Sequence, residues 1–341
     1  MEVKSIYPII NFSDEDEIAV QYERLGADGV IIISPDFSDE AMLIKKIRNI
    51  CEKSDCRLYI WQPYRRLEDI KKVLYAGAAG AWIEATEQTL IREAADRFGA
   101  DRVGMVISEP KLAADEFKLA KELNLSNIFV TGTIEISDTI VISDSRNVSI
   151  AAAEDGTVIK RADGFLDDMF MVQGENTAFQ FGTGKNGDTV LSLTVDASSA
   201  DDATGSIVSL EKGYFGMSDG VTLTGNRTSA PGSAIYNQGG SIGLGGGTIT
   251  DNQSMDKGGA IYSEGEIRVS GNVIVSENYD DGVNYENSIV LSGENAYIAA
   301  TGVLSDTANL QVRRSDADVV KAFVTIGKDA DGNAYTTMEN V

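Results

Sequence analysis

Three asparagines, Asn226, Asn252 and Asn278, recur at a step of 26 residues, and each closes a similar short phrase. The phrases are Thr222-Leu223-Thr224-Gly225-Asn226, Thr248-Ile249-Thr250-Asp251-Asn252 and Val273-Ile274-Val275-Ser276-Glu277-Asn278. Gly232-Ser233-Ala234-Ile235-Tyr236 returns at the same step as Gly258-Gly259-Ala260-Ile261-Tyr262. A fixed period of this size marks a stacked architecture. Short β-branched runs separated by Gly and Asn are strands joined by tight turns. One such coil cannot bury its apolar residues alone, so it stacks on its neighbours. The simplest fold is a right-handed parallel β-helix, a solenoid in which like side chains lie above like. Ile235 and Ile261 are then expected to point inward and stack. Asn226, Asn252 and Asn278 are expected to form a ladder of side-chain amides. The plainer alternative is that each Asn was chosen for tolerance of left-handed backbone at a turn.

From about residue 126 to 326 the chain alternates β-runs with Gly, Asn, Asp and Ser, which gives about eight coils and a rod ~40 Å long. Residues 1–125 follow a different pattern. Apolar runs at Ile6–Phe12, Gly29–Ser34, Arg57–Trp61, Ala79–Glu84 and Arg102–Ser108 alternate with helical spacing at Asp14–Leu25, Asp39–Cys51, Leu67–Ala76, Thr89–Phe98 and Leu112–Leu123. Repeated strand–helix units predict a parallel sheet with right-handed crossovers. Residues 327–341 read as a C-terminal tail or the start of a further segment. No Pro- or Ser-rich linker separates Leu125 from Ile128. The two parts are therefore expected to touch, with Ile128–Ile136 covering a sheet edge or supplying a last strand, and Leu112–Leu123 capping the rod.

Composition narrows the chemistry. The chain has no histidine, which removes the usual neutral-pH proton shuttle and the commonest metal ligand. The net charge is −24; residues 1–132 carry 17 basic and 23 acidic side chains, and the remainder 12 and 30. Such a surface argues against nucleic acid or an anionic membrane as partner. No apolar run reaches membrane-span length. Met1-Glu2-Val3-Lys4 lacks the basic and apolar regions of a secretory signal, so the chain either stays inside or is a piece of an exported protein. Cys51 and Cys56 are expected as free thiols.

Gly26-Ala27-Asp28-Gly29-Val30, the run Arg66–Ala78 and the run Leu90–Gly99 together resemble the cyclase subunit of imidazole-glycerol-phosphate synthase, a (βα)₈ barrel of histidine biosynthesis. The resemblance covers the first third of the chain and implies an incomplete barrel fragment. The family's two catalytic aspartates fall on Asn11 and Ser108, which cannot do a carboxylate's acid–base work. Its glycine-rich phosphate grip falls on Trp61-Gln62-Pro63-Tyr64-Arg65, where bulk and a proline replace bare N–H groups. Cyclase activity is not expected. Trp61, Tyr64 and Arg65 are either rim packing or a retuned ligand rim.

The repeat part resembles cell-surface β-helix repeats of gut Gram-positive bacteria and the polymorphic outer-membrane repeat. The matching residues are Gly258-Gly259-Ala260-Ile261 with Ile249-Thr250-Asp251-Asn252, and the weaker Gly232–Ile235 with Leu223–Asn226. The resemblance implies a non-catalytic surface or adhesin-like module, binding a glycan or a host or cell-surface protein. The alternatives are a carbohydrate-active β-helix enzyme or glycan binder, and a chimeric product whose parts share no function. Asp201-Asp202 and Asp280-Asp281 read as solvated turns rather than sugar-cleaving pairs. Asp329-Ala330-Asp331-Gly332-Asn333 starts like a calcium loop, but its twelfth position is Asn340 and not glutamate. No catalytic, cofactor or metal residue is assigned.

Overall fold

The structure is a computed structural model. It describes residues 8–14, 16–24, 27, 29–34, 39–108, 113–183, 185–186, 189–200, 202–280, 288–315 and 324–326. The calcium-like stretch 329–340, the tail 327–341, Asp201 and Asp281 lie outside these residues.

One 15-stranded sheet runs through the molecule. Its first part is made of Ile9–Asn11, Val30–Ile33, Leu58–Trp61, Gly80–Glu84 and Val103–Ile107, each parallel to the next. Helices Asp16–Arg24, Glu40–Lys53, Leu67–Tyr75, Gln88–Phe98 and Ala113–Glu122 follow the successive strands. The strands are nearly continuous Val, Ile, Leu and Trp, as a parallel sheet under helices requires. Asp39 caps the second helix by accepting from the Met42 N–H at 3.1 Å. Cys51 and Cys56 are unbridged thiols.

The sheet does not stop where the helices do. Asn127–Val130 pairs in parallel with Val103–Ile107 on one side, with Met105 opposite Ile128, and with Asn147–Ala152 on the other. Ala178–Thr183, Tyr214–Met217, Ser241–Leu244, Glu266–Gly271, Tyr297–Leu304 and Val324–Ile326 extend it strand by strand. From Asn127 onward each circuit of the chain also lays a strand on two further parallel sheets of seven strands each, one carrying Thr133–Ile136 and the other Ile140–Ile142. This is a β-helix-like solenoid, grown on the same sheet that the helices cover.

Aromatic side chains seal the junction. Trp82 stacks on Tyr59, with centroids 4.8 Å apart, and meets Phe129 of the first coil at 4.2 Å. Gly104 lies opposite Trp82, and a Cβ there would sit 1.6 Å from the indole, so only glycine lets the ring cross to Phe129. Helix Ala113–Glu122 packs on Thr133–Ile136 and Ile140–Ile142, and Phe117 meets Phe170 edge-on at 6.4 Å. The helix thus covers the first turn of the rod, where interior side chains would otherwise face water.

The far edge of the sheet is covered as well. A short hairpin, Lys185–Asn186 with Thr189–Val190, leaves the repeat part and places Asn186 opposite Ile9 on the first strand. The sequence pattern gave no hint of this contact.

Candidate functional site

The interior of the repeat part is a stack of matched residues. Val208, Ile235, Ile261 and Ile289 face one another in successive strands, and all four are fully buried. Asn226, Asn252 and Asn278 are likewise 0% exposed. Oδ1 of Asn252 accepts the main-chain N–H of Asn226, and Oδ1 of Asn278 accepts that of Asn252, both at 3.1 Å. The Asn252 amide donates to Oδ1 of Asn278 at 3.0 Å and to the carbonyls of Leu223 and Thr250. The Asn278 amide repeats this one coil on, donating to the carbonyls of Ile249 and Ser276. Backbone conformation explains the need. The residue before each asparagine, Gly225, Asp251 or Glu277, has positive φ, at 79°, 52° and 59°. That kink turns the next N–H inward, where only a side chain can satisfy it. The left-handed residue is therefore not the asparagine itself.

The ladder begins at a buried cation. Arg161 is 1% exposed and donates through Nη2 to Oδ1 of Asn226 at 3.3 Å. Nη1 donates to the carbonyls of Phe165 and Asp167, at 3.3 and 2.5 Å, and the guanidinium lies 5.3 Å from the Phe165 ring centroid. Burial pushes the Arg161 pKa down to about 10 against the opposing pull of Asp168 and Asp167, so the side chain stays cationic at neutral pH. A charged residue closing a strand gave no sequence signal for this inward role.

The exposed chemistry sits elsewhere. At the C-terminal ends of the first parallel strands, Trp61 Nε1 donates to Glu84 Oε1 and Ser108 Oγ donates to Glu84 Oε2, both at 2.9 Å. This is the region where parallel α/β sheets bind ligands. Of the proposed rim residues, Trp61 is half-buried and fixed by Glu84, and Arg65 is exposed. Tyr64 is not on the rim: it is 2% exposed, and its hydroxyl donates to the Ile60 carbonyl at 3.1 Å. Burial raises that phenol well above its ordinary pKa. Ser108 therefore stands beside a carboxylate contributed by the neighbouring strand, which the sequence reading missed. Asn11 remains neutral, and its N–H bonds Asp14 Oδ2 at 2.7 Å. Both carboxylate oxygens of Glu84 are engaged by neighbouring side chains. Among the described residues, no cluster of three or more His, Cys, Asp or Glu could hold a metal ion.

Asp280 departs from the expected solvated turn. It is 4% exposed, inside the strand Tyr279–Asp280, and its Oδ2 accepts from Arg313 of the following coil at 3.3 Å.

With this geometry in place, comparison with known families gives one finding. Residues 246–264 match the Chlamydia polymorphic membrane protein repeat. The matched span contains the strand Gly247–Thr250, the ladder residue Asn252 and the turn into the stacked Ile261. Over that coil the chain is similar to this repeat, which fits a β-helix surface protein. Among the described residues, no helix is long and apolar enough to cross a membrane.

Proposed function

We propose that this chain is a non-catalytic, surface-exposed module that works by binding, as adhesin-like solenoids do. The observation that carries this is the coil itself. Its repeat match coincides with a structural unit whose recurring positions, Asn252 and Ile261, are spent inside the rod. The outer faces are then left to vary and to bind. The connection sense is right-handed by the crossover rule. Residues 1–125 act as a barrel-derived cap, and their neutral Asn11 and Ser108 support the absence of cyclase turnover. The aromatic junction at Trp82 and Phe129 supports the two parts working as one body rather than as a chimera.

The partner on this reading is a glycan or a cell-surface protein. Antibodies raised against the purified chain should label intact source cells. Labelling that appears only after the cells are permeabilised would refute the surface assignment. Incubation of the purified chain with the cyclase family's substrate should give no turnover.

A further inference from the structure

The long sheet presents one outward row of residues across its coils. Register pairs Asn127 with Ser149, Ser149 with Gln180, Gln180 with Gly216, Gly216 with Gly243, and Gly243 with Arg268. Their chain neighbours Val148, Phe179, Phe215, Ile242 and Ile267 are buried on the inner face, as the period of two demands. Glycine in the middle of two adjoining strands is unfavourable unless something must approach closely. Here that something is Tyr214. A Cβ on Gly216 would lie 3.0 Å from Tyr214 Cε1, and one on Gly243 only 2.0 Å from its hydroxyl oxygen. The phenol ring therefore lies flat along the sheet, over two strands, and remains partly open to solvent.

Polar side chains flank that ring on both sides, and their charges cancel. On one side Gln180 Nε2 donates to Ser149 Oγ at 3.2 Å. A cavity of about 130 Å³ opens there between Asn127, Asn147, Ser149, Gln180 and Tyr214. On the other side Arg268 pairs with Glu266 at 2.8 Å, and Tyr297 donates its hydroxyl to the same carboxylate at 3.0 Å. The row from Asn127 to Arg268 crosses six strands and is about 24 Å long. In a chain of net charge −24, its only charges neutralise each other.

From this geometry we infer that the outer face of the long sheet between Asn127 and Arg268 is a binding strip for a neutral oligosaccharide. A pyranose ring has an apolar C–H face and a rim of hydroxyls. The flat Tyr214 ring meets the first, because aromatic rings give large rigid contact at little entropic cost. Asn127, Asn147, Ser149 and Gln180 supply paired donors and acceptors for the second. Anionic sugars are opposed by the field of the acidic molecule. A cationic peptide finds Glu266 already engaged by Arg268 and Tyr297. The inference deepens the surface-module reading by naming what the module binds.

The test uses the purified full chain on an array of immobilised neutral oligosaccharides of hexose and N-acetylhexosamine, with sialylated and sulfated glycans and basic peptides alongside. The expected result is binding to neutral glycans, followed by calorimetry of the best one. Gly243→Ala should weaken that binding at least tenfold by lifting the ring without deleting a polar group. Tyr214→Ala should do the same, and Tyr214→Phe should keep most of the affinity. Far-ultraviolet melts identify any variant that fails to fold, in which case the remaining variants decide. Binding to no neutral glycan, binding only to sulfated or sialylated glycans or to basic peptides, or equal affinity in folded Tyr214→Ala would overturn the inference. Glycan binding without labelling of intact cells would sink the surface assignment and leave the strip. Cell labelling without glycan binding would do the reverse.

Discussion

Asn252 is the middle rung of the ladder, bonded to the asparagines on both sides of it. Asn252→Ala deletes the acceptor for the Asn226 N–H, which lies at a fully buried position with no route to water. Leaving a buried donor unmade costs ~1–3 kcal/mol. The substitution also removes donors from the Leu223 and Thr250 carbonyls and from Oδ1 of Asn278. Each such net bond contributes ~0.5–1.5 kcal/mol. The expected loss is therefore about 2.5–7.5 kcal/mol, in the tail of the distribution for point substitutions. Urea unfolding followed by circular dichroism measures it as a lower midpoint. Coil-resolved hydrogen exchange accompanies it, since a solenoid need not melt in one step. Thr248→Ala is the internal control, because Thr248 is half-exposed on an outward face and its change should stay within ~0.5 kcal/mol. If Asn252→Ala lies within about 1 kcal/mol of that control, the ladder is ornamental and the reasoning fails. Asn252→Asp sharpens the point. Its buried carboxyl would be held protonated, with a folded pKa above the unfolded ~3.9, so the variant should lose further stability as pH rises from about 4.

Further expectations follow from other parts of the structure. Gly104→Ala drives a methyl into Trp82 and should destabilise by ~1–3 kcal/mol or more, with a shift in tryptophan fluorescence; an unchanged melt would count against the packing described. Burial raises the Cys56 thiol to about 11 and the Cys51 thiol in the same direction. The folded protein thus holds the Cys56 proton above the unfolded value of ~8.5, so stability contributed there is present at neutral pH and lost between about 8.5 and 11. Thiolate absorbance should appear near the upper limit, and rapid alkylation of native Cys56 at pH 8 would contradict this. Residues 1–125 expressed alone should aggregate or stay molten, because Val103–Ile107 loses its partner Asn127–Val130 and Trp82 loses Phe129. A monomeric fragment melting cooperatively at the full chain's temperature would show the contrary.

What could be read in the sequence was whatever repeats. The step of 26 residues puts Asn226, Asn252 and Asn278 at one corner, and alternating Val/Ile runs with helical spacing mark the first sheet. What could not be read depends on which distant strands become neighbours. The hairpin on Ile9 uses strands of two residues each, too short to carry any period. Glu84 ends an ordinary buried strand, and its pairing with Trp61 and Ser108 exists only once three strands lie side by side. Asp280 looked like a turn acid until Arg313, 33 residues on, came into register beside it. Arg161 violates the polar-outside expectation, and the carbonyls of Phe165 and Asp167, the side chain of Asn226 and the charges of Asp168 and Asp167 together make its burial tolerable. Gly216 and Gly243 show no role until their strands pair, when the two together seat the ring of Tyr214, which belongs to the same strand as Gly216.

The central claim is that the coils are held in register from within and grow directly on the helix-covered sheet. Native-state hydrogen exchange of the main-chain amides of Asn226, Asn252 and Thr131 tests it most directly. The first two donate to ladder oxygens, and the third donates across the junction to Ile107. The account predicts that all three are protected as strongly as strand amides such as Val30, which donates to Arg57 in the middle of the first sheet. Exchange of Asn226 and Asn252 at the rate of an open turn, or of Thr131 at the rate of a flexible linker, would contradict it.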